Sequence, residues 1–276
     1  MAKMEDFRAF FGELLTANVG IAERNGRLSR AIAATAREDF IGKGPWKVFT
    51  PVGYIQTPSD DPRLLYQDTV VAIDAERQIN NGQPTLHVFS LSALNVQERE
   101  RVIHIGAGTG YYTAVLARLV GPEGSVVAFE VEKDLADRAT RNLSDFAHVE
   151  VLHRSGAIAP LNECDVIYVS AGATRPMDVW LDALRPGGRL LFPLTPAEGM
   201  GGMLMITHVS AGDFAAKFLS HAMFIPCVGA RDDDTAQKLS TAFSRGDMWQ
   251  VKSLRRHSPP DGSCWVAGEN WWLSKA

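Results

Sequence analysis

Three glycines at alternate positions, Gly106, Gly108 and Gly110 in RVIHIGAGTGYYTAVLA (residues 101–117), are the residues best placed to do chemistry in this chain. An apolar run enters them and a helical pattern leaves them, which is how a chain presents bare backbone to a nucleotide. Such a turn serves a dinucleotide pyrophosphate, a nucleoside triphosphate or an adenosyl group, and spacing separates the three. A dinucleotide fingerprint needs its third glycine one place later, where this chain has Tyr111, whose bulk obstructs close helix–strand packing. A P-loop needs G-K-[S/T] after a four-residue gap, and no such run occurs. Glu130, ending the next apolar run, can meet the two hydroxyls of a ribose. The acid alone also suits a nicotinamide enzyme or a plain surface. Together with the glycine spacing it points to adenosine.

The elements around these residues alternate. Val102–Ile105, Ser125–Glu130, Val149–Leu152, Asp165–Ser170 and Arg189–Pro193 have the pattern of strands, and Tyr111–Leu119, Lys133–Leu143 and Met177–Leu184 that of helices. Strands alternating with helices predict an α/β fold, a doubly wound and mostly parallel Rossmann-like sheet with helices on both faces. Ahead of it, Phe7–Phe40 carries two helical stripes split at Asn25-Gly26, and Thr85–Leu94 is a helix with Pro84 in its first turn. The Pro- and Gly-rich stretch between them, residues 41–66, has no sustained period and predicts a long loop or flap with a short strand at Val52–Ile55. Behind it come two strands joined by A-G-D, an acid-capped helix from DDDTAQKLSTAFSRG, and a strand-like tail with Trp265, Trp271 and Trp272. Those tryptophans either pack the tail or wall an acceptor site.

Composition excludes other classes. The 276 residues are 46% hydrophobic and 22% charged with net charge −4, ordinary for a soluble protein and wrong for a nucleic-acid partner, which needs a basic face. No apolar run reaches membrane-spanning length, and MAKMEDFRAFFGELL is too charged for a signal peptide. Cys164, Cys227 and Cys264, odd in number and scattered, point to reduced thiols and a cytoplasmic setting. The seven histidines lack ligand spacing, so no metal is expected.

At this level the residues resemble a known family. IHIGAGTGYYTAVLARLVGPEGSVVAFEVE is similar to the S-adenosylmethionine loop of class I methyltransferases, and most similar to protein-L-isoaspartate O-methyltransferases. LSRAIAATAREDFIG, LYQDTVVAI (through Tyr66, Asp68 and Ile73), NGQPTLHVFSLSAL, CDVIYVSAGATRPMDVWLDALRPGGRLLFPL and FIPCVG each resemble a segment of that family, in the family's order over roughly residues 7 to 229. The resemblance implies S-adenosyl-L-methionine as cofactor. Gly106, Ala107, Gly108, Thr109 and Gly110 would hold its methionine portion and Glu130 with Val131 its ribose. Ser155, Gly156 and Ala157 would line the adenine edge, and Ser170 with Ala171 the pocket wall. It also implies the carboxylate of an isoaspartyl peptide or protein as acceptor; a different peptide or a small acid is the other class, and charge and hydropathy leave no nucleic-acid or membrane partner.

Four positions depart from the family pattern. The family's hydroxyl-bearing acceptor turn reads Ile79, Asn80, Asn81, Gly82, Gln83, Pro84 here, longer and without the hydroxyl. The acid beside adenine is Ser155, and the acid in the first strand is His104, which we include with the cofactor residues. Residues 42–65 are longer than usual, and an extension follows Gly229. The changes fall on the acceptor side. A sulfonium methyl is already activated, so transfer needs chiefly an aimed nucleophile, and positioning supplies roughly 7–11 kcal/mol. A carboxylate, with a pKa near ~4, arrives ionised and needs no base. Amides at Asn80, Asn81 and Gln83 can orient it and cannot deprotonate an alcohol. Asp68 and His87 are the nearby titratable groups, as anchors or as bases. The expected organisation is N-terminal helices and flap over residues 1–95, the cofactor domain over 96–229 and a C-terminal extension over 230–276, the last able to pair two subunits. Rival functions are a family member that binds cofactor without turnover and, more remotely, a nicotinamide oxidoreductase.

Overall fold

The computed structural model describes residues 3–21, 26–158, 160–210 and 212–276. Asn25, expected to split the first helices, and Ala211, in the expected A-G-D turn, lie outside the described residues. In chain order the elements are α1 (Met4–Asn18), α2 (Arg27–Ala33), α3 (Arg37–Ile41), β1 (Lys47–Thr50), β2 (Gly53–Gln56), β3 (Ala72–Asp74), β4 (Ile79–Asn80), α4 (Pro84–Leu94), β5 (Arg101–Ile105) and α5 (Tyr111–Val120). Then follow β6 (Ser125–Glu130), α6 (Lys133–Asn142), β7 (Val149–His153), β8 (Cys164–Val169), α7 (Asp178–Ala183) and β9 (Leu184–Leu194). The last elements are β10 (Gly201–Ser210), β11 (Asp213–Ala222), α8 (Asp233–Ser244), β12 (Ser253–Arg256), β13 (Cys264–Ala267) and β14 (Trp271–Ser274).

Contacts divide the chain into two compact units: Met1–Arg99, Ala107–Val126 and Glu132–Val151 in the first, and Glu100–Gly106, Val127–Val131 and Leu152–Ala276 in the second. Two sequence expectations are corrected in the first unit. The second helical stripe is broken into α2 and α3 at Ala34–Ala36, because Thr35 Oγ1 turns back to the Ala31 carbonyl at 2.8 Å and Ala36 takes an extended backbone. The strand expected at Val52–Ile55 is present as β2, but the rest of the flap is not a loop: β1 and β2 pair antiparallel from Lys47↔Gln56 to Thr50↔Gly53, and Pro62–Leu65 forms a 3₁₀ turn capped by Asp61. The hairpin is anchored by Trp46, which is buried with Ile41, Leu65 and Val71 and donates its Nε1–H to the Gly42 carbonyl at 2.8 Å. Trp46 is therefore a core residue.

Ten strands hydrogen-bond in the order β13-β14-β12-β11-β10-β9-β8-β5-β6-β7. β5 with β8 and β8 with β9 run parallel, as expected for an α/β sheet. From β9 outward every pairing is antiparallel, so the sheet is mixed. The reason is connectivity: only two residues separate β10 from β11, and a connection that short joins only antiparallel neighbours. The tail strands complete the second unit's core, which runs from Ile103 and Ile105 through Trp180 and Phe192 to Trp265, Trp271 and Leu273. Trp265 lies edge-on to Phe218 and Phe243, each at 5.2 Å, and donates to Asp247 Oδ1 at 2.7 Å. The tryptophans are packing residues. Trp265→Ala is expected to cost about 3–5 kcal/mol of stability, whereas the exposed Trp249→Ala stays within about 0.5 kcal/mol; urea denaturation of the full chain measures both.

Candidate functional site

The glycine loop is built by backbone conformations that other residues avoid. Gly106, Gly108 and Gly110 all have positive φ, at 78°, 57° and 96°. In the second unit, the Gly106 N–H donates to the Phe129 carbonyl at 2.9 Å and the Ser170 N–H to the Ile105 carbonyl at 2.8 Å. These bonds tie the end of β5 to the ends of β6 and β8. In the first unit, a Cβ at Gly110 would lie 2.9 Å from Leu143 Cδ1, while one at Gly108 would meet only Ile73 Cδ1, at 3.9 Å. The loop is held by Asn142, whose Nδ2 donates to the Thr109 carbonyl at 2.9 Å. Tyr111, where a dinucleotide loop has its third glycine, opens α5 and is buried edge-on to Phe40 at 5.6 Å and Tyr112 at 4.9 Å.

The second unit gathers the remaining cofactor candidates at strand ends. Glu130 closes β6, is buried, and accepts the Val131 N–H at 2.8 Å. Val131 and Ile158 leave apolar side chains exposed after β6 and β7. Gly156 permits a close approach, since a Cβ there would sit 2.7 Å from Ile105 Cγ1, and its carbonyl accepts Trp180 Nε1–H at 2.8 Å. Ser155 does not stand free: its hydroxyl donates to the Val228 carbonyl at 2.8 Å and accepts the Ala157 N–H at 3.2 Å. The partner, Val228, lies in the FIPCVG segment, 73 positions along the chain, and nothing in that segment's residue types links it to Ser155.

His104 is 1% exposed, stacks on Tyr168 and lies 3.0 Å through Nε2 from Ser170 Oγ. It therefore bears on the site through Ser170. Burial pushes its pKa down to about 3, so the folded chain keeps it neutral. In the unfolded chain it titrates near ~6.5. Its stabilising contribution is thus complete above that value and is lost as pH falls toward 3, by up to about 1.4 kcal/mol per pH unit. His104→Gln is expected to flatten the acid limb of stability against pH, read from urea midpoints at a series of pH values; an unchanged slope would contradict this.

The first unit assembles the acceptor candidates on one short ribbon. Asp68 lies before β3, and its Oδ1 accepts the Thr85 N–H at 2.8 Å while its Oδ2 accepts Gln83 Nε2–H at 3.3 Å. It is the cap of α4, whose own N-cap residue, Gln83, makes no side-chain cap. The segment before it is fixed by the buried Arg37, which donates to the Gln67 carbonyl at 3.0 Å, and by Tyr66, whose hydroxyl bonds Glu38 and Arg8. Burial alone would raise the Glu38 carboxyl; hydrogen bonds from Tyr66 and Arg8 outweigh it and hold the group below the usual carboxylate range.

Asn80 Oδ1 accepts the Gly82 N–H at 2.9 Å, and its side chain lies beside the Tyr54 hydroxyl. Asn81 brackets Val71, its N–H donating to the Val71 carbonyl at 3.0 Å and its Oδ1 accepting the Val71 N–H at 2.8 Å. The Asn81 Nδ2 is buried without a hydrogen-bond partner. His87 lies under the turn, stacked on Tyr112 at 3.7 Å, and a Cβ at Gly82 would fall 2.0 Å from its Nε2. Sequence reasoning missed Tyr54 here, because its link to Asn80 exists only once the hairpin folds.

The profile of the protein-L-isoaspartate(D-aspartate) O-methyltransferase family (PCMT) matches residues 23–232. A protein-L-isoaspartate O-methyltransferase of Rhodopseudomonas palustris is 35% identical over 167 residues, covering 59% of this chain and 74% of the relative. The Brucella anthropi protein of that name is 29% identical over 204 residues, covering 74% and 86%. Among solved structures, a Plasmodium falciparum β-aspartate methyltransferase (PCMT) in complex with S-adenosyl-L-homocysteine superposes with a TM-score of 0.65 at 20% identity, over 80% of this chain and 98% of that one. The last likeness is one of fold.

Proposed function

Because the chain belongs to the protein-L-isoaspartate(D-aspartate) O-methyltransferase family, we propose that its acceptor is a carboxylate of a peptide or protein, an isoaspartyl residue first and a small acid second. The enzyme is an S-adenosylmethionine-dependent methyltransferase on an α/β Rossmann-like fold.

Its residues fit that cofactor. The positive-φ glycines keep the loop backbone bare of side chains, Gly108 leaves space beside it, Glu130 offers a buried carboxylate at a strand end, and Val131 and Ile158 offer an apolar face for a flat base. We assign the methionine portion to Gly106–Gly110, the ribose to Glu130 with Val131, and the adenine to Ser155, Gly156, Ala157 and Ile158. Ser170, positioned by His104, and Ala171 form the wall. The cofactor supplies a methyl group already activated on a sulfonium.

The protein's remaining task is to aim the acceptor and keep it still. The acceptor turn carries this assignment. Its side chains are amides, Asn80, Asn81 and Gln83, and Asp68 beside it is engaged by Thr85 and Gln83 rather than held as a base. Amide groups such as that of Asn80 suit a group that is already anionic. Residues 1–95 then serve the acceptor, 96–229 the cofactor, and 230–276 complete the sheet.

Incubation with radiolabelled methyl donor and matched peptides carrying isoaspartate, serine or lysine tests the acceptor. Label on the isoaspartyl peptide alone, released by mild base as expected of an ester, supports a carboxylate. Base-stable label on serine or lysine overturns it, and donor binding without transfer to any acid marks a binding protein.

No helix among the described residues is long and apolar enough to cross a membrane. The three cysteines are free, in keeping with a reducing, cytoplasmic setting. Trp265, Trp271 and Trp272 are buried within their own chain, so a homodimer through the extension would use the outer edge of β13.

A further inference from the structure

The inserted hairpin is joined by backbone to the acceptor turn. Phe49 N–H donates to the Val70 carbonyl at 2.8 Å and Val48 bridges Val71 antiparallel. Val71 is in turn bracketed by Asn81, and Ala72 pairs with Asn80. The strands therefore run side by side as β2, β1, residues 70–74 and residues 79–81, a four-stranded ribbon within the first unit. Side chains on such a ribbon alternate between faces. Val48, on one face, packs against the buried cluster of Trp46, Leu65 and Val71. Phe49 and Tyr54 are cross-strand partners on the other face, with rings 5.4 Å apart. Asn80 lies on that same outer face, since it pairs with Ala72, whose neighbour Val71 bridges the inward-facing Val48.

That face carries the polar pair Lys47 and Gln56 at the open end of the hairpin and becomes apolar toward its tip. Phe49 is 52% exposed, and Val52 at the hairpin tip is 93% exposed. The ribbon supplies a measure of distance. β1 is two strand spacings from residues 79–81, roughly 10 Å, which is about three residues of extended peptide.

Resting on a carboxylate acceptor in a peptide or protein, we propose that the outer face of the inserted hairpin, Phe49 and Tyr54, with Val52 at its tip, is a specificity surface. It receives an aromatic or large aliphatic side chain about three residues from the methyl-accepting carboxylate. The occupant is fixed by continuity: the same ribbon face that presents Asn80 presents the aromatic pair, so an extended peptide whose acid lies at Asn80–Gln83 crosses Phe49 and Tyr54. The enzyme would thus prefer modified sites flanked by apolar residues.

The test uses two fluorescently labelled isoaspartyl peptides of equal length, with phenylalanine or serine at the third positions on both sides of the isoaspartate. Binding is read by anisotropy in the presence of S-adenosylhomocysteine, and kcat/KM with the methyl donor. The native enzyme is expected to prefer the phenylalanine peptide about tenfold, the discrimination one apolar subsite can give. Phe49→Ser should bring that ratio to within about twofold at an unchanged melting temperature. Val52→Ser, at the fully exposed tip, should lower it partway and decides the matter if Phe49→Ser is poorly folded. A native ratio near one, absence of binding by either peptide, or a ratio unmoved by folded variants would overturn the surface. Preferential binding that is lost in Phe49→Ser, with no methyl transferred, would leave the surface standing and remove the carboxylate acceptor instead.

Discussion

Glu130→Ala is expected to weaken S-adenosylhomocysteine binding by about a hundredfold or more. The carboxylate is buried at the end of β6. A hydrogen bond to a charged group is worth about 1.5–3 kcal/mol, and two ribose hydroxyls can each donate one. Losing both gives about 3 kcal/mol or more, and each 1.4 kcal/mol is about tenfold. Glu130→Gln keeps the shape and one acceptor oxygen, so its loss should be intermediate. Isothermal titration checks the series, and the melting temperature without ligand separates a lost contact from a damaged fold. Unchanged affinity in Glu130→Ala would remove this residue from the cofactor site.

Gly82→Ala should do the opposite: leave S-adenosylhomocysteine affinity intact and lower methyl transfer by about a hundredfold or more. Gly82 has φ 70°, which alanine resists, and a Cβ would fall 2.0 Å from the His87 ring. That ring cannot yield cheaply, being buried and stacked on Tyr112 at 3.7 Å. The turn must therefore shift, carrying Asn80, Asn81 and Gln83 with it. A misplacement of about 1 Å can cost about a hundredfold in rate. Single-turnover transfer to an isoaspartyl peptide, set beside titration of the same protein, reads the two effects separately. If both fall together, the turn and the cofactor residues are not separable in the way proposed.

Local chemistry explains which features the sequence made legible. Gly106, Gly108 and Gly110 were readable because each has a conformation that strongly favours glycine, so spacing records backbone shape directly. Glu130 was readable from its place at a strand end, and α8 from Asp232, whose Oδ1 caps Thr235 N–H at 2.8 Å. The extra residues of the acceptor turn were visible as Asn80, Asn81 and Gly82. What they do was not. Asp68 caps α4 across a gap in sequence, Ser155 turns to Val228 from a distant loop, and Tyr54 reaches Asn80 only through the hairpin. Such contacts leave no periodic trace. Of the hairpin only the second strand was legible, at Val52–Ile55; proline and glycine interrupt residues 42–65, and strands of four residues each are too short for alternation to register the pairing. The antiparallel half of the sheet was visible strand by strand, while its merger with the parallel half rests on Leu204↔Phe192 and the pairs beside it, which are long-range.

The central claim is that this chain holds an adenosyl methyl donor at the ends of its parallel strands. Titration of the native chain with S-adenosylhomocysteine and, separately, with NADH tests it most directly. One molecule of S-adenosylhomocysteine bound per chain, with no heat or fluorescence change from NADH, is the expected result. Silence toward S-adenosylhomocysteine, or tight binding of NADH in its place, would contradict it.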